Sequence, residues 1–445
     1  MIIPPATREQ NVWLSVGTLL DGTSTLPRRH AHVVYNRSSI RFVGSDGRTP
    51  PAELLRPGQT QPDVDAPGCT LLPGLIEAHA HLFLEGGELD LEKRAAYLKQ
   101  SPAELLAGAR PRLEKLVRLG IAGVRDAGDK DGVGLALSKL CAGRRQRVGP
   151  VSDRTPGQSE TDPSAPPVMP YIDSPGAAIH HRGRYGSFMA DALENYASAQ
   201  ACVAARVEAG ADRIKLIPTG IINFKQAQVT SEPQMTTEEV TELVAAANSF
   251  GRQTFAHASG DQGIDRVIAG GVDSVEHGFF VRDDQLARMR DLRTAWVPTF
   301  SPVQEQVDHA DLMGWDRETA DNLRGILERH AASLVRAHAL GVLIIAGSDA
   351  GSVGVAHGLG LLRELELMER AGLPSIAVIN AATGVSAARF GYKERFGRIA
   401  AGYLSRFILT AHSPLQTVAN LRQPRTVVFD GQVFETAETT VDKGL

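Results

Sequence analysis

Two histidines separated by one residue stand in an otherwise apolar segment, GLIEAHAHLF, at residues 74–83. Side chains on a strand alternate between its two faces, so Glu77, His79 and His81 project in the same direction. Two adjacent imidazoles can bind one metal ion, and imidazole suits zinc and its neighbours. A single buried histidine is more often a core residue hydrogen-bonded to a carbonyl. The segment therefore indicates a metal site only if other ligands accompany it.

Further side chains of this kind lie in later apolar segments. ADRIKLIP contains Lys215, which is unfavourable to bury without a partner. TFAHAS contains His257, SVEHG contains His277 and IIAGSDAG contains Asp349. Each has a structural alternative, such as pairing of the lysine with an acid, pairing of His277 with Glu276, or helix capping by the aspartate. Four histidines, a lysine and an aspartate at successive strand ends together predict a metal site.

The elements that must position these residues are short apolar strands alternating with helical segments. The strands that we identify are LLPGLIEAHAH, GIAGVRDAG, PVMPYIDS, ADRIKLIP, RQTFAHA, GVDSVEHG, TAWVPTF and VLIIAGSDA. Helical patterns lie between them, such as TTEEVTELVAAANSF with its threonine–glutamate capping signal. Eight alternating units predict an α/β fold, a (β/α)8 TIM barrel. In such a barrel the catalytic groups lie at the carboxyl ends of the strands, where the six candidates fall.

The two ends of the chain are predicted to form a separate small domain. Strand-like pieces such as VWLSV and AHVVYN alternate with turns before residue 71, and β character returns in SRFILT and RTVVFDGQVF. We predict a β-sandwich built from residues 1–70 and 397–445, and a barrel over residues 71–396. The low-complexity segment at 151–167, VSDRTPGQSETDPSAPP, is predicted to be a mobile loop, with an active-site lid as the alternative.

Composition excludes several classes of function. The formal net charge of -4 and the pI near 6.4 argue against nucleic-acid or anionic-membrane binding. The N-terminus lacks the pattern of a secretory signal, and no apolar stretch approaches the roughly 20 residues of a membrane span. Cys69, Cys141 and Cys202 are odd in number and scattered, as in a reduced cytosolic protein. We expect a cytoplasmic enzyme for small molecules that forms a homo-oligomer.

The motifs, taken in order, resemble the metal-dependent amidohydrolase superfamily over nearly the whole chain. LLPGLIEAHAH is similar to its first-strand motif, GADRIKL to the strand-four segment with a carboxylated lysine, and VEHG and AGSDAG to the strand-six and strand-eight motifs. GRIAAGYLSRFILTAHSPL, followed by VVFDG, resembles the closing segment of the small domain. The resemblance is closest to the carboxylated-lysine binuclear branch, which includes prolidase-like enzymes and aryl-urea and carbamate hydrolases.

This resemblance implies two divalent ions at the strand ends. We expect zinc, with manganese, cobalt or iron as the alternatives for such a mixed nitrogen and oxygen site. The implied ligands are His79, His81, Lys215, His257, His277 and Asp349. His79, His81 and Asp349 would hold the more buried ion, and Lys215 would bind both ions as a carbamate formed with carbon dioxide. A bridging hydroxide would attack the substrate, and Asp349 would carry its proton to the leaving nitrogen. The implied reaction is hydrolysis of a C–N bond in an amide, urea or carbamate.

Departures from the family pattern bear on the substrate. Tyr185 stands in RGRYG where peptidase-like members carry a histidine, and His180 and His181 precede it. After Lys215 the family often has two glycines, whereas this chain has the run PTGIINF at 218–224. Ile221 and Ile222, with Phe224, predict a bulky apolar wall, and the amide of Asn223 is predicted to point inward. We expect these side chains to contact a small, largely apolar amide, urea or carbamate rather than a zwitterionic dipeptide.

Two other departures have smaller consequences. Glu77 stands where the family has aspartate, and we expect it to support a metal ligand from behind. Arg406 stands in LSRF where an aspartate is common, and we expect it to affect only the small domain.

Three other functions compete with this interpretation. An Xaa-Pro or similar dipeptidase is the enzymatic alternative. A non-catalytic scaffold of the same fold would show gaps among the ligands, and the sequence has none. A mononuclear deaminase would lack Lys215 and carry a glutamate just after the strand-five histidine, where this chain has HASGD.

Overall fold

The computed structural model describes residues 3–147, 168–392 and 395–437, so the segment predicted as a loop at 151–167 lies outside the described residues. The strands are β1 (Val12–Leu19), β2 (Arg28–Tyr35), β3 (Ile40–Gly44), β4 (Val64–Pro73), β5 (Leu75–Ala80), β6 (Ile121–Asp126), β7 (Tyr171–Asp173), β8 (Ala178–His180), β9 (Ala190–Ala192), β10 (Ile214–Leu216), β11 (Thr254–Ala258), β12 (Ser274–His277), β13 (Ala295–Val297), β14 (Arg406–Thr410), β15 (Arg425–Phe429) and β16 (Gln432–Thr436). The helices are α1 (Leu91–Tyr97), α2 (Pro102–Arg118), α3 (Val133–Arg147), α4 (Ala199–Ala209), α5 (Thr237–Ser249), α6 (Asp261–Ala269), α7 (Asp283–Leu292), α8 (Ser301–Asp308), α9 (Arg317–Leu340), α10 (Leu359–Arg370), α11 (Ser375–Ala381) and α12 (Gly384–Phe390).

Most of the central strands run parallel, and helices separate them along the chain. One sheet has the order β5-β6-β7 and a second has the order β13-β12-β11-β10-β8-β9. Every residue of β5, β6, β10, β11 and β12 is buried, as expected when helices cover both faces of a parallel sheet. Helix α5 begins at the predicted capping signal, where Thr236 and Glu239 form a reciprocal capping box. The predicted α/β class is confirmed.

The last predicted barrel strand, residues 342–350, connects the two parallel sheets. Its backbone hydrogen-bonds to Trp296 in β13 at 2.8 and 3.0 Å, and the Ala78 N–H of β5 donates to the Ala346 carbonyl at 3.0 Å. On the other side β7 pairs with β6 while β8 pairs with β10, so the chain between β7 and β8 interrupts the ladder. The described residues therefore form two parallel sheets and no closed barrel, and the (β/α)8 barrel remains our interpretation of their order.

The two ends of the chain meet in one seven-stranded sheet with the order β16-β15-β14-β4-β1-β2-β3. The rings of Tyr35 in β2 and Phe407 in β14 lie 4.9 Å apart, although β1 and β4 separate these strands in the sheet. The sheet is therefore strongly curved and encloses its own apolar cluster. The predicted union of both termini is present, but as one curved sheet, so the sandwich is only partly indicated. The predicted domain boundaries remain a prediction.

Other features of the fold concern thiols, the membrane and Arg406. Cys69, Cys141 and Cys202 are all buried. Among the described helices, none is both long and apolar enough to cross a bilayer. Arg406 lies at the start of β14, and its Nη2 is 2.5 Å from the Asp430 carboxylate in the terminal sheet. Its Nη1 donates to the Ala122 carbonyl of β6 at 3.2 Å, so the expectation that Arg406 affects only the small domain is wrong.

We expect Phe407→Ala to lower the free energy of unfolding by about 3–5 kcal/mol, because the substitution leaves a cavity in the curved sheet. Phe250→Ala is the control, since Phe250 is 38% exposed and its removal should change stability little. Urea unfolding followed by circular dichroism measures both. Equal effects of the two substitutions would contradict the proposed packing of the terminal sheet.

Candidate metal centre and its cavity

All six side chains predicted as metal ligands line one cavity of about 310 Å³. They are His79, His81, Lys215, His257, His277 and Asp349. They come from the carboxyl ends of β5, β11 and β12, from the middle of β10 and from the segment 342–350. Parallel strands bring such positions to one edge of their sheets, which is why residues far apart in sequence meet here.

The distances within this group are short enough for shared ligation. Ring nitrogens of His79 and His277 and a carboxylate oxygen of Asp349 lie within 4.8 Å of one another. The Nε2 atoms of His79 and His81 are 3.6 and 3.5 Å from Asp349 Oδ1. The rings of His257 and His277 have centroids 4.6 Å apart. The histidines of different strands thus surround one carboxylate.

Three polar atoms in this group are buried and have no hydrogen-bond partner among the described residues. They are His79 Nε2, Lys215 Nζ and Asp349 Oδ1. Buried polar atoms in proteins are nearly always paired, so three orphans facing one cavity call for an explanation. Nitrogen and oxygen donors grouped in this way fit divalent transition metals. The residues present therefore fit the metal site that the sequence predicts.

The backbone at two of these residues adopts an uncommon conformation. His277 has φ of 66° and Asp349 has φ of 56°, both in the left-handed region that residues other than glycine rarely occupy. Thr299, whose hydroxyl lies 2.7 Å from His277 Nδ1, also has a positive φ of 49°. Backbone strain of this kind persists only where the surroundings hold it, and it is concentrated at functional sites.

Burial sets the protonation of the histidines. It lowers the pKa of His81 and His257 to about 3, and it lowers the pKa of His79 and His277 well below the ordinary value. The nearby Lys215 cation lowers all four pKa values further. The imidazoles are therefore neutral at pH 7, which is the form that binds metal ions.

The two other polar groups of the site also have shifted pKa values. Burial lowers the pKa of the Lys215 amine to about 8 and raises that of the Asp349 carboxyl to about 7. The lysine ammonium lies 4.7 Å from the centre of the Phe255 ring. A lowered lysine pKa increases the share of neutral amine near neutral pH, and a raised carboxyl pKa suits proton transfer there.

A buried pair of charges lies directly behind His79. Its Nδ1 is 2.6 Å from Glu276 Oε2, and that same oxygen accepts from Arg125 Nη2 at 2.7 Å. Arg125 also lies between the rings of Phe255 and Phe390, at 4.4 and 4.5 Å. With Glu276 accepting at Nδ1, the His79 Nε2 lone pair is directed into the cavity.

Sequence reasoning missed this pair of charges. The sequence suggests Glu276 only as a partner of its neighbour His277, whereas Glu276 contacts His79 across the strands. The available signal was Arg125 itself, a charged residue within the apolar segment GIAGVRDAG, comparable to the lysine in IKLI. Glu77, which we expect to support a metal ligand, accepts from the backbone N–H of His79 at 3.1 Å and from the Ser348 hydroxyl at 2.6 Å.

Of the residues predicted to contact substrate, one lines the cavity. Tyr185 does so, with its ring 5.3 Å from that of His257. His180 is buried in β8, and the ring nitrogens of His181 lie 2.8 and 3.3 Å from glutamate carboxylates. The Asn223 amide oxygen accepts a backbone hydrogen bond within its own turn. The structure does not bring these last three to the cavity, and their roles remain predictions.

The remaining cavity wall is mostly apolar and has one further charge. Ile221, Ile222 and Phe224 line it as predicted, together with residues of later segments such as Phe279. Arg94 of α1 also lines the cavity and was missed, because the stretch LEKRAAY has the composition of an ordinary solvated helix.

Comparison with known proteins identifies the family. The sequence profile of the Amidohydrolase family matches residues 70–434, which include every candidate ligand. The chain belongs to the Amidohydrolase family. This match confirms the predicted membership in the amidohydrolase superfamily. It also confirms the prediction that the protein is a metal-dependent hydrolase acting on C–N bonds. An uncharacterized protein of Mycobacterium tuberculosis is a relative of this amidohydrolase, 25% identical over 369 residues, which are 82% of this chain and 86% of that protein.

Solved structures have the same fold. A Xaa-Pro dipeptidase with bound methionine in its active site superposes on this amidohydrolase with a TM-score of 0.75 at 24% identity, covering 96% of this chain and 100% of that one. The ochratoxinase of A. niger superposes with a TM-score of 0.73 at 21% identity, covering 95% of each chain. At these identities the likeness concerns the fold alone.

We expect Arg125→Met to lower the free energy of unfolding by about 3–5 kcal/mol, because Glu276 would remain as an unpaired buried carboxylate. The double variant Arg125→Met/Glu276→Gln should recover part of this loss, since the buried charge is then removed. Arg324→Met is the matched control, because its ion pair with Asp321 is more than half exposed and contributes little. Urea unfolding of all three variants gives the comparison, and a double variant less stable than Arg125→Met would contradict it.

Proposed function

We propose that this amidohydrolase hydrolyses the C–N bond of a small, largely apolar amide, urea or carbamate with the help of two divalent ions. The observation that carries this proposal is the convergence of six candidate ligands on one cavity, with three of their atoms buried and unpaired. Zinc is the metal that we propose, because neutral imidazoles and carboxylates are its usual ligands outside thiolate sites. We also propose a (β/α)8 barrel around the site and a cytoplasmic homo-oligomer that binds neither nucleic acid nor membrane.

The roles of the ligands follow from their positions. His79 and His81 both approach Asp349 Oδ1 and, following the family pattern, would hold one ion with it. His257 and His277, whose rings lie next to each other, would hold the second ion, and His277 also lies within 4.8 Å of His79 and Asp349, so the two positions adjoin. Lys215 lies in β10 and is buried without a hydrogen-bond partner among the described residues. Its neutral amine would add carbon dioxide, and the resulting carbamate would provide one oxygen for each ion.

The bound ions, Asp349 and the apolar side chains would each have a different role in hydrolysis. Bound divalent ions supply Lewis acidity toward the substrate carbonyl and toward a water molecule. Asp349 faces the cavity with one free oxygen, and it would accept the proton of the attacking water and transfer it to the leaving nitrogen. The apolar side chains around it exclude other water, which strengthens the electrostatic interactions inside the cavity.

The lining of the cavity supports an apolar substrate. Ile221 is 55% exposed and faces the cavity, so a bound apolar group would cover surface that is otherwise in contact with water. Within the described lining, Asp349 is the only carboxylate, and it belongs to the metal site. A free ammonium group of a dipeptide would therefore lack a dedicated partner.

The alternative is an Xaa-Pro or similar dipeptidase. The superposition on an Xaa-Pro dipeptidase favours it at the level of fold. The non-catalytic scaffold considered from the sequence is not supported, because the chain belongs to a family of hydrolases and all six candidate ligands line one cavity.

We predict that Lys215→Ala lowers the metal content from two ions per chain and reduces turnover at least about 100-fold, because both ions lose a shared ligand. Lys225→Ala is the control, since this exposed lysine lies outside the cavity lining. Elemental analysis of the purified proteins and turnover of the best substrate measure the two effects. A Lys215→Ala protein that keeps two ions and full activity would refute the bridging role.

A substrate panel tests the chemical class. Anilides, aryl ureas, aryl carbamates and N-acyl amino acids should be hydrolysed with larger kcat/KM than free dipeptides, because the cavity wall offers apolar surface and no ammonium partner. Removal of the metal with a chelator should abolish all these activities, and readdition of zinc should restore them. Turnover of dipeptides that far exceeds that of the uncharged amides would favour the dipeptidase.

A further inference from the structure

One cation at the cavity has no part in the proposed metal site. The guanidinium of Arg94 lines the cavity and donates from Nη2 to the Gly351 carbonyl at 2.8 Å. Within the described part of the chain, no carboxylate lies within the 4.0 Å ion-pair distance of this group. Burial lowers its pKa, and the more distant charges of Asp349, Glu85 and Glu88 oppose the shift. The guanidinium stays charged and keeps donors free for a ligand.

The position of Arg94 relates it to one half of the substrate. The turn that accepts its hydrogen bond is the turn that holds Asp349, since the Ser352 hydroxyl donates to Asp349 Oδ2 at 2.9 Å and Gly351 lies between them. Asp349 is the group proposed to deliver a proton to the leaving nitrogen. A ligand anion bound to Arg94 therefore lies on the side of the leaving amine.

The apolar wall belongs to other segments of the chain. Ile221 and Ile222 follow β10, Phe279 follows β12, and Val303 lies in α8. Three of these four side chains are at least nine-tenths buried, and only Ile221 is exposed. The cavity thus combines one cationic wall next to the proton donor with one apolar wall, and a matching ligand is negatively charged at one end and apolar at the other.

We propose that Arg94 binds the carboxylate of an N-acyl amino acid whose acyl group is apolar and whose carboxylate is carried by the leaving amine. This inference rests on the proposed function and narrows its substrate class. In the reaction the C–N bond breaks, the oxygen of water bonds to the acyl carbon, and the amino acid leaves with the transferred proton on its nitrogen. The carboxylate is unchanged and serves only to orient the substrate, through paired hydrogen bonds to a planar guanidinium.

A pair of substrates isolates the carboxylate. N-Benzoyl-L-leucine and N-isopentylbenzamide have the same acyl group and the same amine skeleton, and only the first carries a carboxylate. For the metal-loaded enzyme we expect kcat/KM to be about 10- to 100-fold larger for the acid, as for a hydrogen bond between charged groups. Arg94→Met should lose this preference mainly through a larger KM for the acid.

Two further variants separate the guanidinium from general effects of charge. Arg94→Lys keeps the positive charge but not the paired donors, so its preference should be intermediate. Lys93→Met removes a neighbouring charge from an exposed side chain in the same helix and should keep the preference of the unchanged enzyme. A preference that Arg94→Met and Lys93→Met reduce equally would overturn the proposal.

The remaining outcomes distinguish this inference from the proposed function. Equal turnover of both compounds by the unchanged enzyme overturns the role of Arg94 and leaves the hydrolase intact. If no C–N compound is hydrolysed, the proposed function fails. Calorimetric titration with N-benzoyl-L-leucine then tests separately whether Arg94 binds the carboxylate. Binding by the unchanged enzyme that is lost in Arg94→Met supports the role of Arg94. If the unchanged enzyme does not bind the compound, or both proteins bind it equally, that role is overturned.

Discussion

The organisation of the site depends on one buried carboxylate. Glu276 is fully buried, and its Oε2 contacts both the Arg125 guanidinium and the His79 ring. An isolated carboxylate in this position would be strongly unfavourable, and the arginine compensates for its burial. The carboxylate in turn fixes the orientation of the imidazole through its contact with Nδ1. The position of one candidate ligand is thus set by an ion pair that does not itself face the cavity.

The parallel sheets make this arrangement possible. Glu276 is in β12, Arg125 in β6 and His79 in β5, and every residue of these strands is buried. Helices on the outer faces exclude water from the strands, so charged groups there must pair with one another. The same exclusion makes the imidazoles neutral and raises the pKa of Asp349. The environment that costs stability at these residues also suits them to the metal binding and proton transfer that we propose.

The candidate ligands could be identified from sequence because polar residues at the ends of apolar strands form a local pattern. The parallel sheets and the capped start of α5 could also be predicted, because alternating apolar segments and a threonine–glutamate capping signal are local patterns too. The contact between Glu276 and His79 could not, since it joins residues 197 positions apart and depends on how the strands are arranged. Asn223 illustrates a different limit, because its amide satisfies a hydrogen bond within its own turn. The curvature of the terminal sheet likewise follows from strand order, which composition does not specify.

The left-handed backbone at Asp349 has a consequence for how this residue can be studied and for what can replace it. Asparagine and glycine adopt this conformation with little penalty, whereas β-branched residues do not. An asparagine there would remove the negative charge and preserve the turn, but a valine or threonine would distort the path of the chain as well. Only the first kind of exchange reports on the carboxylate itself, because it leaves the backbone conformation of the turn in place.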